Sequence, residues 1–269
     1  MEKMRECPAC NNDKSILIHL VESFHIVRCN LCGLVYLANP PLDDTIYEEY
    51  HEGSEPDPND YRKDSQNHPL CELWYINSQR LKKLKRIKSN GSLLDIGCGR
   101  GYFLKSAAES GYSVHGIDIA SRPIKYAQRM YQLSADTRSL QDLIASGQRY
   151  EIITLFHVLE HFSDPYASLR YVHDLLTENG LCMIEVPNYH SLKFVISKNK
   201  WSGGNHPLYH RTFFTNRTLQ QSLQKTGFSQ MKRITLSYHL HDRSILYEGF
   251  KQGLNIFGFD AFLFFIAWK

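Results

Sequence analysis

The chain lacks any apolar run near the roughly 20 residues that a membrane span requires. No apolar core follows its first residues, so a secretory signal is not expected. Net charge is almost absent: 31 Lys and Arg against 28 Asp and Glu leave +3, too little on its own to indicate a nucleic-acid partner. Internal repeats and low-complexity tracts are missing too. Cysteine is not scarce. Seven cysteines without a secretion signal indicate a reducing compartment, the cytoplasm, where thiols bind metal, pack or react more often than they form disulfides. What remains is an ordinary globular composition. Its 269 residues, 42% of them apolar, suit one α/β domain of usual size with a small appendage.

The appendage is N-terminal, over residues 1–40. Cys7-Pro8-Ala9-Cys10 and Cys29-Asn30-Leu31-Cys32 are two C-x-x-C knuckles with eighteen residues between them. That spacing fits a four-thiolate zinc ribbon, because each knuckle aims two sulfurs at one ion and a hairpin brings the pairs together. Ile16-Leu17-Ile18 and Phe24 to Arg28 are the expected hairpin strands. So few apolar residues cannot fold alone, and the metal would supply folding free energy. Four sulfurs leave no position for water, so the zinc reads as structural. Two disulfides or a redox pair are the alternatives. His19 and His25 are competing ligands, with surface or hairpin roles the plainer reading.

Residues 41–68 form a polar connector with Pro40-Pro41 and Glu55-Pro56-Asp57-Pro58 as turn chemistry, either a solvated linker or a lid carrying Tyr47, Tyr50 and Tyr61. Leu73 to Ile87 has helical spacing. The lysines and arginine at 82–88 crowd its end, where cations suit the helix dipole; a solvated face is the plain reading and an RNA contact the other.

The remainder, 69–269, is organised around Leu93-Leu94-Asp95-Ile96-Gly97-Cys98-Gly99-Arg100-Gly101. A short buried strand runs into a glycine turn and then a helix. Dinucleotide folds carry G-x-G-x-x-G for a pyrophosphate. Here the pattern is D-x-G-x-G-x-G, and a carboxylate beside the turn attracts a cationic ligand rather than a phosphate. The stretch resembles motif I of class I S-adenosylmethionine-dependent methyltransferases. That resemblance implies a doubly wound, mostly parallel, seven-stranded Rossmann-like sheet. It also places Asp95, Gly97, Cys98, Gly99 and Gly101 around the methionine part of the cofactor.

Tyr112 to Asp118 is the second strand of this unit, with Asp118 at its tip, suited to accept from both ribose hydroxyls. Ile119 follows as a further cofactor-facing residue. Ser121 is expected to cap the next helix, with Pro123 in its first turn. Ser134-Ala135-Asp136 ends a third strand, and the resemblance lets Asp136 reach the adenine amino group.

Tyr150 to Phe156 is the fourth strand. It runs into His157-Val158-Leu159-Glu160-His161, which resembles the H-V-L-E-H tract of small-molecule methyltransferases, ubiquinone-type O-methyltransferases among them. His157 would line the cofactor or take a proton; Glu160 and His161 are left between chemistry and bracing the loop. Some relatives place a divalent metal here, and the residues leave that open. The tract also matches an inverted zinc-protease pattern, but Asp164-Pro165 breaks the helix that pattern needs. Asp164 to Leu176 is the next amphipathic helix, closed by Glu178-Asn179-Gly180, with a fifth strand at Leu181 to Val186.

Farther on, Tyr189, Trp201, His206, Tyr209 and His210 are candidates for the acceptor pocket, with His210 the best base. Helix Leu219–Thr226 and strand Met231–Leu240 follow. Phe262 to Trp268 reads as a buried last strand, which the resemblance implies is inserted antiparallel between its neighbours, with a membrane-surface tail as the alternative. The reading is a methyltransferase for a small acceptor, through a hydroxyl, with His157 and His210 handling the proton. Its rivals are an RNA-base methyltransferase using the ribbon on RNA, and a non-catalytic ribbon adaptor.

Overall fold

Strands covered on both faces need apolar residues at successive positions, and the central segments supply them. In the computed structural model, which describes residues 4–41, 69–192, 194, 207–236 and 261–269, they form one seven-stranded sheet. Its parallel part comprises β4 (Ser92–Ile96), β5 (Ser113–Ile117), β6 (Ala135–Asp136), β7 (Tyr150–Phe156) and β8 (Leu176–Pro187). β10 (Gln230–Ile234) and β11 (Phe262–Trp268) complete it in the order β10-β11-β8-β7-β4-β5-β6. β11 lies antiparallel between β8 and β10, as expected. The chain leaves β4 toward β5 and β6, then returns to β7 on β4's other side. That reversal opens a crevice at the strands' carboxyl ends, where open sheets bind ligands.

Helices cover both faces. α1 (Pro69–Lys85), α2 (Tyr102–Glu109) and α3 (Ser121–Tyr131) bury Leu81, Leu84, Phe103, Leu104 and Ile124 against one face, where Leu93, Ile152 and Met183 point. α4 (Leu140–Ala145), α5 (Pro165–Leu175) and α6 (Asn216–Lys225) cover the other, against Leu94, Ile153 and Ile184. No helix among the described residues is long and apolar enough to cross a membrane.

Three local expectations change. Ala120, not Ser121, is the N-cap of α3; it carries no side-chain cap, and Ser121 is already helical with Pro123 in the first turn. α5 ends at Leu175, within one residue of the expected Leu176, but β8 begins at once, with Leu176 paired to Tyr150, five residues before the expected Leu181. The turn chemistry serves an irregularity within that long strand, where Asn179 takes a left-handed φ of 61°. Strand β10 ends at Ile234, and residues 237–240 of the expected longer strand lie outside the described residues. So does the connector with its three tyrosines.

The N-terminal hairpin forms as expected, from β1 (Ser15–Val21) and β2 (Phe24–Cys29), followed by β3 (Val35–Leu37). This small sheet gains a fourth strand from far along the chain, β9 (Thr212–Phe213), antiparallel to β3. Cys7, Cys29, Leu34 and Tyr36 belong to the same buried cluster as Leu155, Tyr166 and Phe214 of the main unit. The ribbon therefore solves its shortage of apolar residues by sharing the larger core.

Candidate active site

The glycine turn lies at the tips of β4 and β5. Gly97 has φ 69°, and a Cβ there would sit 2.3 Å from Cγ2 of Val158, so only glycine lets this turn close on the H-V-L-E-H tract. Gly99, at φ 52°, faces open space, the room a ligand needs. Asp118 organises the turn. Its carboxylate accepts from the Gly99 N–H at 2.8 Å and the Ala120 N–H at 2.9 Å. A carboxylate offers about four acceptor positions, so two remain for hydroxyls. Beside it Ile119 is 57% exposed, an apolar side chain held at the crevice. Cys98 is instead buried against Gly116, its thiol pushed up by burial.

Asp95 sits one strand over. It is 4% exposed and accepts from Thr154 Oγ1 at 2.6 Å across the β4–β7 pair. Burial raises its carboxyl to about 7, against the pull of the Thr154 bond and the Arg80 charge. Such a group needs a nearby cation to stay ionised. Asp136, at the end of β6, is held by two basic side chains. Arg138 binds its carboxylate through Nε and Nη2 at 3.0 and 2.8 Å, and His115 through Nε2 at 3.0 Å. Burial pushes its carboxyl up, but these partners outweigh that and hold it at about 2.

The tract after β7 is a short 3-10 turn, Leu159–His161, and not a helix. Asp164 then caps α5, accepting from the Tyr166 and Ala167 N–H groups, with Pro165 at its first position. His157 holds a left-handed φ of 59° and points Nε2 at Glu185 Oε1, 3.0 Å away, with Nδ1 3.7 Å from Glu160 Oε1. Burial would lower its basicity, but those carboxylates more than offset this and raise it to about 9. At neutral pH His157 is an imidazolium. It has no lone pair for a hydroxyl proton, and a positioning or electrostatic role fits it better than that of base.

His210 is its opposite. It is 6% exposed, and burial lowers its basicity to about 4, so the ring stays neutral. Its ring lies 4.8 Å from that of His161. Donor atoms of Glu160, His161 and His210 all fall within 4.8 Å of one another. Glu160 is 1% exposed, and neither carboxylate oxygen has a hydrogen-bond partner. His161 fixes Nδ1 on the Tyr209 carbonyl at 2.9 Å, which turns Nε2 toward Glu160 at 3.9 Å. A buried unsatisfied carboxylate with two imidazoles, one oriented by a backbone carbonyl, can bind a proton-bearing group or a divalent cation. His157 is not part of this set, which removes the protease geometry.

Of the other acceptor-pocket candidates, Tyr189 packs beside the ribbon with Ile26, Val35, Leu37 and Phe213. Trp201 and His206 lie outside the described residues. Two residues missed in the sequence stand out. Arg80 on α1 is 6% exposed and donates through Nε to Glu185 Oε2 at 2.9 Å. Glu185, fully buried, thus joins Arg80 to His157. Both left a signal: Arg80 shares a stripe with Leu81 and Leu84, and Glu185 interrupts the apolar run from Leu181 to Val186. A charge in either place needs a partner.

In the ribbon, Cys7 and Cys32 sulfurs are 3.5 Å apart, as are those of Cys10 and Cys29. Disulfides need about 2.05 Å, and a tetrahedral ion with Zn–S near 2.3 Å spaces its sulfurs about 3.8 Å apart. The four thiols fit the ion. His19 and His25 are not in the cluster.

A family model described as a methyltransferase domain matches residues 72–231. The chain belongs to that methyltransferase family. A ubiquinone biosynthesis O-methyltransferase of Cereibacter sphaeroides is 29% identical over 200 residues, 65% of this chain and 80% of the relative. One from Albidiferax ferrireducens is 30% identical over 135 residues, but that match spans only about half of the relative, 53%. The fold matches magnesium protoporphyrin IX methyltransferase of Synechocystis with bound S-adenosylhomocysteine, at TM-score 0.56 and 17% identity, covering 84% of this chain and all of that one. A methyltransferase of Archaeoglobus fulgidus gives TM-score 0.53 at 21% identity, covering 74% and 98%. The chain is an S-adenosylmethionine-dependent methyltransferase of the class I fold.

Proposed function

We propose that this methyltransferase acts on a hydroxyl of a small biosynthetic acceptor. The observation that supports the reading is the closing of the glycine turn on Val158, two residues before Glu160 in the tract whose Glu160 and His161 cluster with His210. The cofactor supplies an activated methyl on a sulfonium. The chain's residues bind, orient and manage one proton. Asp95 and the turn at Gly97, Cys98, Gly99 and Gly101 hold the methionine end, Asp118 holds the ribose, and Ile119 packs on the base. Asp136 serves through its backbone and its grip on Arg138. His210, neutral and beside an ionised Glu160, is the base. Glu160, His161 and His210 are equally a ligand set for a divalent cation, which would lower the acidity threshold of the acceptor hydroxyl. The four cysteines hold structural zinc, and their free thiols suit the cytoplasm.

The test is calorimetry with S-adenosylmethionine, followed by labelled-methyl transfer to phenols, catechols, sugars and RNA. Transfer to a phenol or sugar hydroxyl is expected. Salt-sensitive transfer to RNA alone would move the enzyme to the RNA-base class. Binding without transfer to any acceptor would favour the adaptor, and no binding would overturn the reading.

A further inference from the structure

Beyond the core they share, the ribbon and the main unit are tied by hydrogen bonds on the loop segments that carry Glu160 and His210. Arg5 donates through Nε to the Leu37 carbonyl at 2.7 Å, through Nη1 to the Ser163 carbonyl at 2.7 Å and through Nη2 to the Arg211 carbonyl at 3.1 Å. One guanidinium thus gathers the end of β3, the loop after the 3-10 turn and the residue following His210. Leu37 N–H donates to the same Arg211 carbonyl at 3.0 Å. The register Val35–Phe213 and Tyr36–Thr212 extends the junction. From Arg211 the path continues inward: its N–H donates to the Glu160 carbonyl at 2.8 Å, and its guanidinium donates to Ser163 Oγ. Arg211 is 2% exposed and adjoins His210 in sequence.

Both ends of this junction are set by the cysteines. Cys7 follows Arg5 by two residues, and Cys32 precedes Val35 by three. Cys29 N–H donates to the Leu34 carbonyl at 2.9 Å and Gly33 N–H to the Cys29 carbonyl at 3.1 Å, so the second knuckle leads straight into β3. Four thiolates around one ion fix both approaches. The hydrogen bonds of the glycine turn stay within the main unit: Gly97 and Cys98 donate to the Ile117 carbonyl and Gly99 to Asp118.

We infer that the ribbon is a brace rather than a docking module: through Arg5 and β3 it positions Glu160 and His210, so the state of the four thiolates governs the acceptor side and spares the cofactor side. This rests on the proposed function only in naming the acceptor side. Arg5 is a positioning residue and touches no reactant.

The test uses the full chain and amide hydrogen exchange, which needs no acceptor. Metal content is measured first; a freshly purified chain without zinc would overturn the metal half. Chelation is expected to speed exchange at Arg211 and Phe213 at least 10-fold, with changes under 2-fold at residues 94–98 and 116–118. Affinity for S-adenosylmethionine should hold within 2-fold. If chelation unfolds the whole chain, Arg5→Ala decides, since it leaves the cysteines intact. It should keep its zinc and its cofactor affinity, yet open Arg211 several-fold and lower kcat at least 10-fold, with Arg5→Lys recovering part of both. Unchanged exchange at Arg211 in Arg5→Ala overturns the inference. So does an equal loss of cofactor affinity. Failure to find an acceptor bears only on the proposed function, because the exchange pattern is read without one.

Discussion

The two halves of the site are built by different means. The proposed cofactor half comes mainly from one stretch, residues 94–120, braced by Thr154 and Val158. The proposed acceptor half is gathered from residues 5, 157–163, 185 and 209–213, brought together by β8, β9 and the ribbon. Local assembly gives a fixed cradle that tolerates change elsewhere. Assembly from distant pieces gives a site that depends on packing throughout one side of the molecule.

The sharpest way to break that contrast is to remove one organiser from each half. Asp118→Ala takes away two charge-assisted bonds to backbone and those to a ribose. At about 1.5–3 kcal/mol each, cofactor affinity should fall at least about 100-fold by calorimetry. Affinity kept at the parent level would refute the role of that carboxylate. His210→Ala should lower kcat about 100- to 1,000-fold and leave cofactor affinity within 2-fold. Equal losses in both quantities would mean that the halves are not separable.

A pH series sharpens the comparison further. Asp95, raised by burial to about 7 against the pull of Thr154 and Arg80, must ionise to hold a cationic ligand. Cofactor affinity should therefore weaken by up to about 10-fold for each pH unit below 7, and Asp95→Asn should flatten the profile. The stability linkage has a definite sign. This folded-state value lies above the usual 3.8, so the group's contribution is full below about 3.8 and is lost as pH rises through about 7. Asp95→Asn should thus gain thermal stability at pH 8 relative to pH 5. Asp136 runs the other way. Held at about 2 by Arg138 and His115, it contributes above about 3.8 and loses that contribution as pH falls toward 2.

Smaller effects are expected from two glycine-turn and strand-tip changes. Gly97→Ala puts a methyl into Val158 at a left-handed φ and should cost about 1–3 kcal/mol in denaturant unfolding. Asp136→Asn should change cofactor affinity less than about 3-fold, because its side chain is engaged by Arg138 and His115. A drop comparable with that of Asp118→Ala would restore a direct adenine contact.

Periodicity and cysteine spacing were enough to mark most strands, the helices and the four-thiol cluster, because each rests on local pattern; the sheet's architecture and the cofactor role of the glycine turn came from the family resemblance. The same local logic went astray at Ser121 and at Glu178-Asn179-Gly180, where the neighbouring strands and not turn chemistry set the boundary. Whether His157 is charged and His210 neutral was beyond any motif. Two buried carboxylates, from residues 160 and 185, face one ring; at the other, burial and the neighbouring His161 outweigh the single carboxylate of Glu160. The joining of Arg5 and β3 to Arg211 was equally illegible, since a strand of two residues has no pattern of its own. Ionisation and long-range pairing depend on what burial brings within a few ångströms, and only the folded chain decides that.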